Sequence, residues 1–211
     1  VTVTAAPASP PVADRSGFRN VMLSGAKVGA TTALAVVVYL LVTRLLPGAA
    51  RELLQAVVVL AFALPIALGP AYLVTARQTE GVAGAAAVGL WGTVVFMAFD
   101  IIVLRPLKAY PWTWDAVGGG STWWYLAVWW MLGTFTAWMG GLVTAARHQG
   151  AGGGEREPAL VDLAWPPAVG GAVVAAVGRV VGCPVTLPVT AGAGFLVTLT
   201  ALAVVGMARR R

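Results

Sequence analysis

Six apolar stretches run through the chain, separated by shorter segments that carry nearly all of its charge. A helix needs about 20 apolar residues to cross the hydrocarbon core of a bilayer, and stretches 28–46, 53–75, 82–104 and 123–146 have that length. The last stretch, from Pro166 to Met207, is too long for one helix and is interrupted at Gly182-Cys183-Pro184 and at Pro188. Prolines suit helix starts and break helix interiors, so this stretch predicts a tight hairpin of two spans, 166–181 and 188–207. The first arm of that hairpin would be only about 24 Å long. It either crosses a thin part of the bilayer or re-enters. The expected fold is an all-α polytopic transmembrane helical bundle of six spans, or of five spans plus a short re-entrant arm.

Segments between and before the spans read differently. Residues 1–26 are expected to form a flexible tail and an interfacial lead-in, because the first seventeen are rich in Ala, Pro, Ser and Thr and show no period. Residues 27–211 are expected to form a single transmembrane helical domain. The first apolar run begins only near Val28, late for a secretory signal, so it is read as a retained span rather than a cleaved leader ending near Ala49-Ala50. The segment Arg147–Asp162, with five consecutive small residues at Gly150-Ala151-Gly152-Gly153-Gly154, reads as a mobile loop that cannot span.

Composition strengthens this picture. The chain of 211 residues is 59% hydrophobic and 10% charged, whereas soluble domains carry about a quarter charged residues. Too little polar surface remains for an ordinary water-soluble enzyme. The balance of 14 Lys and Arg against 8 Asp and Glu gives a charge of +6. Those basic residues sit at the ends of apolar runs, so they mark topology and contacts with anionic lipid, and no nucleic-acid partner is expected. With six spans, Arg15, Arg19, Lys27, Arg77, Arg147, Arg156, Arg209, Arg210 and Arg211 share one side, against Arg44, Arg51, Arg105, Lys108 and Arg179 on the other. The positive-inside rule then gives an N-in/C-in orientation. Short loops and a basic rim suit a bacterial inner membrane.

Chemistry is scarce. The single histidine, His148, and single cysteine, Cys183, exclude an intrachain disulfide, a zinc or iron–sulfur centre built from this chain, and a haem held between two of its histidines. No cofactor is identifiable; a bound lipid or another apolar molecule is the one ligand class the aromatic segment would suit. That segment holds seven of the nine tryptophans, among them Trp112, Trp114, Trp123, Trp124, Trp129, Trp130 and Trp138. An interfacial aromatic belt explains the first four. The last three lie deeper, facing lipid, packing against neighbours or lining a groove for a partner or ligand.

Three further features bear on function. Gly133, Ala137 and Gly141 form one small-residue ladder, and Gly171, Ala175, Gly178 and Gly182 another; such faces let helix backbones approach closely, within this chain or with another subunit. Gly25 and Gly29 repeat the pattern near the first span. Pro65 and Pro70 each free a carbonyl in the second span, giving either a plain kink or a broken helix of the kind that binds ions. Asp100 is the one acid inside an apolar run, and its depth fits a shallow pair with Arg105 or Arg44. Three readings follow. The favoured one is a non-catalytic accessory or structural subunit, partnered by the lipid bilayer and other membrane subunits. A small solute or ion transporter using Pro65, Pro70 and Asp100 is the alternative, and a lipid- or isoprenoid-modifying membrane enzyme the third.

Overall fold

A computed structural model describes residues 17–75, 79–110, 123–150 and 160–209. They form six helices: α1 (Phe18–Leu45), α2 (Gly48–Leu73), α3 (Thr79–Phe99, continued by a π-helical turn, Asp100–Leu104), α4 (Trp123–Gly150), α5 (Leu160–Val180) and α6 (Leu187–Ala208). No strand occurs among the described residues. Five of the helices are long and apolar enough to cross a membrane: α1, α2, α3 with its π turn, α5 and α6. The sixth, α4, has 28 residues and packs against α2, α3 and α6.

Consecutive helices run antiparallel. Gly25 and Gly29 on α1 meet Trp91, Gly92 and Val95 on α3 in the same order, so these two helices are parallel to each other. Ala85 lies beside Gly141 and Gly89 beside Ala137, which sets α4 antiparallel to α3. Gly170 faces Thr198 and Gly178 faces Thr190, which does the same for α5 and α6. The bundle therefore has a near end, where α1 starts and α6 stops, and a far end, where α1 turns into α2.

Several boundaries differ from those the sequence predicts. Helix α1 starts at Phe18, ten residues before the first apolar run, because Ser24 and Gly25 are buried and Asn20 donates a hydrogen bond from Nδ2 to the Leu73 carbonyl at 3.1 Å. Hydropathy falls across Arg19, Asn20 and Lys27 while the helix continues. The expected lead-in is thus the first part of α1; residues 1–16 lie outside the described residues. Helix α5 likewise starts at Leu160, not Pro166, and runs through Pro166 and Pro167. Leu163 and Pro167 are almost completely buried, and Leu163 packs with Leu68, Met139, Phe195 and Leu199. That burial holds a turn that lacks the amide donors of two prolines. At 21 residues α5 is about 31 Å long, and its far end reaches Glu52 at the start of α2 through Arg179, at 3.5 Å. The short-arm expectation is corrected accordingly. Both ends of the expected loop 147–162 are also helical, since α4 continues to Gly150 and α5 includes Asp162; the glycine run at 151–154 lies outside the described residues.

All six helices carry apolar side chains outward as well as inward. Leu34, Leu41, Val57, Ile102, Met131 and Val197 are all exposed. A helix that is apolar all round belongs in a large core or in lipid.

Candidate functional site

The small-residue ladders are consumed inside the chain. A Cβ on Gly29 would stand 2.6 Å from the Gly92 carbonyl oxygen, and one on Gly171 would stand 2.8 Å from that of Ala191. Gly133 fits against Thr93, Ala137 against Gly89, and Gly141 against Val82 and Ala85. Ala175 is buried with Ala56 and Ala191, and Gly178 lies across from Thr190 and Cys183. Gly182 departs from this pattern. Its φ is +71°, nothing approaches its Cβ position, and it caps α5 with Cys183 N–H bonded to the Gly178 carbonyl at 2.9 Å. This is a Schellman cap, a role for which glycine's left-handed freedom is needed. The sequence missed the glycine with the closest backbone neighbour among the described residues, Gly140 against the Ala67 carbonyl, which joins α4 to α2.

Helix α2 is continuous through Pro65 and Pro70, so the broken-helix reading does not hold. The two prolines bracket the Gly140–Ala67 contact. Toward the near end α2, α3 and α4 are closely packed by Ala71, Val74, Val82, Ala85 and Ala145. Toward the far end their facing walls stand apart around a cavity of about 570 Å³. It is bounded by Thr32, Val36 and Tyr39 of α1, Phe62 and Ile66 of α2, Thr93 and Phe96 of α3, Trp129 and Thr136 of α4, and Gly192 and Phe195 of α6. Among the described residues Tyr39 is the only titratable group in this wall. The three threonine hydroxyls are turned back on their own helices, donating to the carbonyls of Val28, Gly89 and Leu132 at 2.9, 2.9 and 2.7 Å. No side chain among these residues was a sequence candidate except Trp129, because the wall is assembled from five helices with no local motif.

The tryptophans divide by face. Trp129 points inward and meets the Phe96 ring edge-to-face, centroids 5.7 Å apart. Trp130 and Trp138 are exposed, and Trp138 continues an outward strip with Val128, Met131 and Phe135. Trp112, Trp114 and the side chains of Trp123 and Trp124 lie outside the described residues.

Asp100 is 1% exposed and closes a clasp at the far end. The π turn is marked by the Arg105 N–H bonding to the Asp100 carbonyl, five residues back. This wider turn sets Arg105 over Asp100, and its Nε donates to Oδ2 at 3.0 Å. The Tyr110 hydroxyl donates to Oδ1. Arg44 pairs elsewhere, donating to the carbonyls of Lys108 and Ala109 at 3.4 and 3.0 Å. Of the two arginines expected as partners of Asp100, the structure selects Arg105. Arg44 instead fastens the end of α1 to the segment after α3.

Comparison of the chain with models of known protein families, with curated proteins and with solved structures returned no match. Its class rests on its own fold: five apolar helices of spanning length, apolar on their outer faces, define a multi-pass integral membrane protein.

Proposed function

We propose that this chain is a non-catalytic membrane protein of six spans, with both ends on the cytoplasmic side of a bacterial inner membrane, and that it is an accessory subunit of a larger membrane assembly. The observation that carries this reading is how its buried polar groups are engaged. Asp100 is closed by Arg105 and Tyr110, Gln55 donates to Thr43, Asn20 donates to Leu73, and the cavity threonines bond their own backbones. Ion relay and group transfer both need an acid, base or nucleophile facing an accessible space. Here the intramembrane acid is a fastening, and the far-end cavity is lined mainly by apolar side chains.

The small-residue faces are taken up within the chain, so association rests on the outward aromatic strip of α4. Aromatic side chains are enriched at protein interfaces. Purification of the full chain from its own membranes in mild detergent is expected to yield a defined assembly containing other membrane proteins. Trp138→Ala together with Trp130→Ala should release them and leave the chain's melting temperature unchanged. A wild-type chain that runs as a fully stable monomer, or a double variant that keeps its partners, would overturn the subunit reading.

A further inference from the structure

We infer that the far-end cavity is a binding site for one anionic glycerophospholipid, with an acyl chain inside the bundle and the phosphate held at Tyr39 and Arg51. The inference rests on the membrane placement of the chain but not on its role as a subunit. The cavity volume of about 570 Å³ lies in the range of small-molecule sites. Water is a poor occupant, because a buried water needs two to four polar partners and the threonine hydroxyls of the wall are already turned to backbone carbonyls. Leu132, Val189 and Ala193 line the cavity while remaining exposed, so it is open to the surface of the bundle. In a bilayer that surface is bathed in acyl chains.

The charge at the mouth selects the headgroup. Tyr39 lies at the far-end limit of the α1 wall, and among the described residues its hydroxyl has no hydrogen-bond partner. Arg51, in the first turn of α2, lies within electrostatic reach of Tyr39 and is partly buried. Of the other charges described at this end, Glu52 pairs with Arg179, Asp100 pairs with Arg105, Arg44 is bonded to two carbonyls, and Lys108 is exposed beyond the cavity wall. Arg51 has no carboxylate partner among the described residues. A guanidinium within electrostatic reach of a phenol hydroxyl at the cavity wall suits a phosphate diester, whose anionic oxygens accept hydrogen bonds from both groups. A zwitterionic lipid also offers a phosphate but brings its own cation toward Arg51, so net-anionic headgroups are favoured.

The test uses the full chain in nanodiscs of phosphatidylcholine with or without phosphatidylglycerol, followed by native mass spectrometry and thermal melting. One phosphatidylglycerol retained per chain and a higher melting temperature with that lipid are expected. Ala63→Phe and, on the α1 wall, Ala35→Leu fill the cavity and should abolish retention; the second is a smaller change and serves if the first fails to fold. Arg51→Gln should leave a chain bound but reduce the preference for phosphatidylglycerol by about tenfold, the loss of one charge-assisted contact. No retained lipid in the wild type, equal retention in the filled variants, or an unchanged headgroup preference in Arg51→Gln would overturn the site. If the wild-type chain is extracted from membranes by alkaline carbonate, the membrane placement itself is rejected; a chain that stays in the bilayer without a retained lipid rejects only the cavity assignment.

Discussion

The near and far halves of this bundle use the same helices but hold them together differently. At the near end, Gly140 sits on the Ala67 carbonyl, and Gly141 and Gly206 sit on the Cβ atoms of Ala85 and Ala146. At the far end, Phe62, Phe195 and the Phe96–Trp129 pair line a cavity, and the rim is tied by Asp100, Arg105, Tyr110 and Arg44. Interaxial distance follows the size of the side chains at a contact: small residues close α4 onto α2 toward the near end, while toward the far end Gly89 and Gly133 close α3 onto α4 and aromatic side chains line the space beside them. Within lipid, packing replaces the hydrophobic effect as the force between helices. The near half therefore supplies rigidity, and the far half supplies room.

The largest expected effect comes from the near half. Gly140→Ala places a Cβ onto the Ala67 carbonyl and must push α2 from α4, a cost of about 3 kcal/mol by analogy with overpacked cores. Gly69→Ala makes the same chemical change on α2, where nothing lies within 4 Å of the new Cβ, and should stabilise by up to about 1 kcal/mol through helix propensity. Melting of both variants in one detergent checks the contrast. Equal behaviour would show that close backbone approach is not what holds the near half.

A smaller and more local effect is expected at the far end. Asp100→Asn leaves the Arg105 guanidinium without its carboxylate. Breaking a fully buried pair costs about 3–5 kcal/mol, but the Arg105 side chain is 25% exposed, so about 2 kcal/mol is the reasonable expectation here. Amide exchange should accelerate across 100–110 and stay unchanged around Ala67 and Gly140. A uniform loss of protection would mean that the halves unfold as one unit, and a loss of solute flux with no loss of stability would restore the transport reading.

How much of this was legible in the sequence depends on how local the cause is. The apolar cores of α3, α4 and α6 fall within a few residues of their predicted limits, because length and hydropathy are properties of a single segment. The depth of Asp100 in its span points to Arg105 or Arg44 as its partner, but nothing local signals the π turn that brings Arg105 onto it. The starts of α1 and α5 were misplaced because Arg19, Lys27, Pro166 and Pro167 give local signals against a span, and burial of Ser24 and Leu163 by distant helices overrides them. Gly182 sits at the spacing of a packing ladder, and only its positive φ shows that it is a cap. Of the cavity only Trp129 and Gly133 stand out in the sequence, since its walls come from five helices and their separation is set by contacts elsewhere.

The smallest expected effect compares two caps at the far end. Both α5 and the π turn after α3 end in the same arrangement, with a left-handed residue followed by an N–H bonded five residues back: Cys183 to Gly178, and Ala109 to Leu104. At the first the left-handed residue is Gly182, with φ +71°; at the second it is Lys108, with φ +48°. An L side chain in that region costs about 1 kcal/mol or slightly more. Lys108 is exposed, and the two Arg44 hydrogen bonds reach the carbonyls of Lys108 and Ala109, so no contact to its side chain holds the geometry. Lys108→Gly should therefore stabilise the chain, by somewhat less than 1 kcal/mol once the greater freedom of the unfolded glycine is counted. The gain should vanish when Arg44→Gln removes the bonds that hold this backbone in place. A destabilised Lys108→Gly variant would mean that the lysine ammonium itself contributes to the rim, and would move the far-end fastening from the backbone to the side chain.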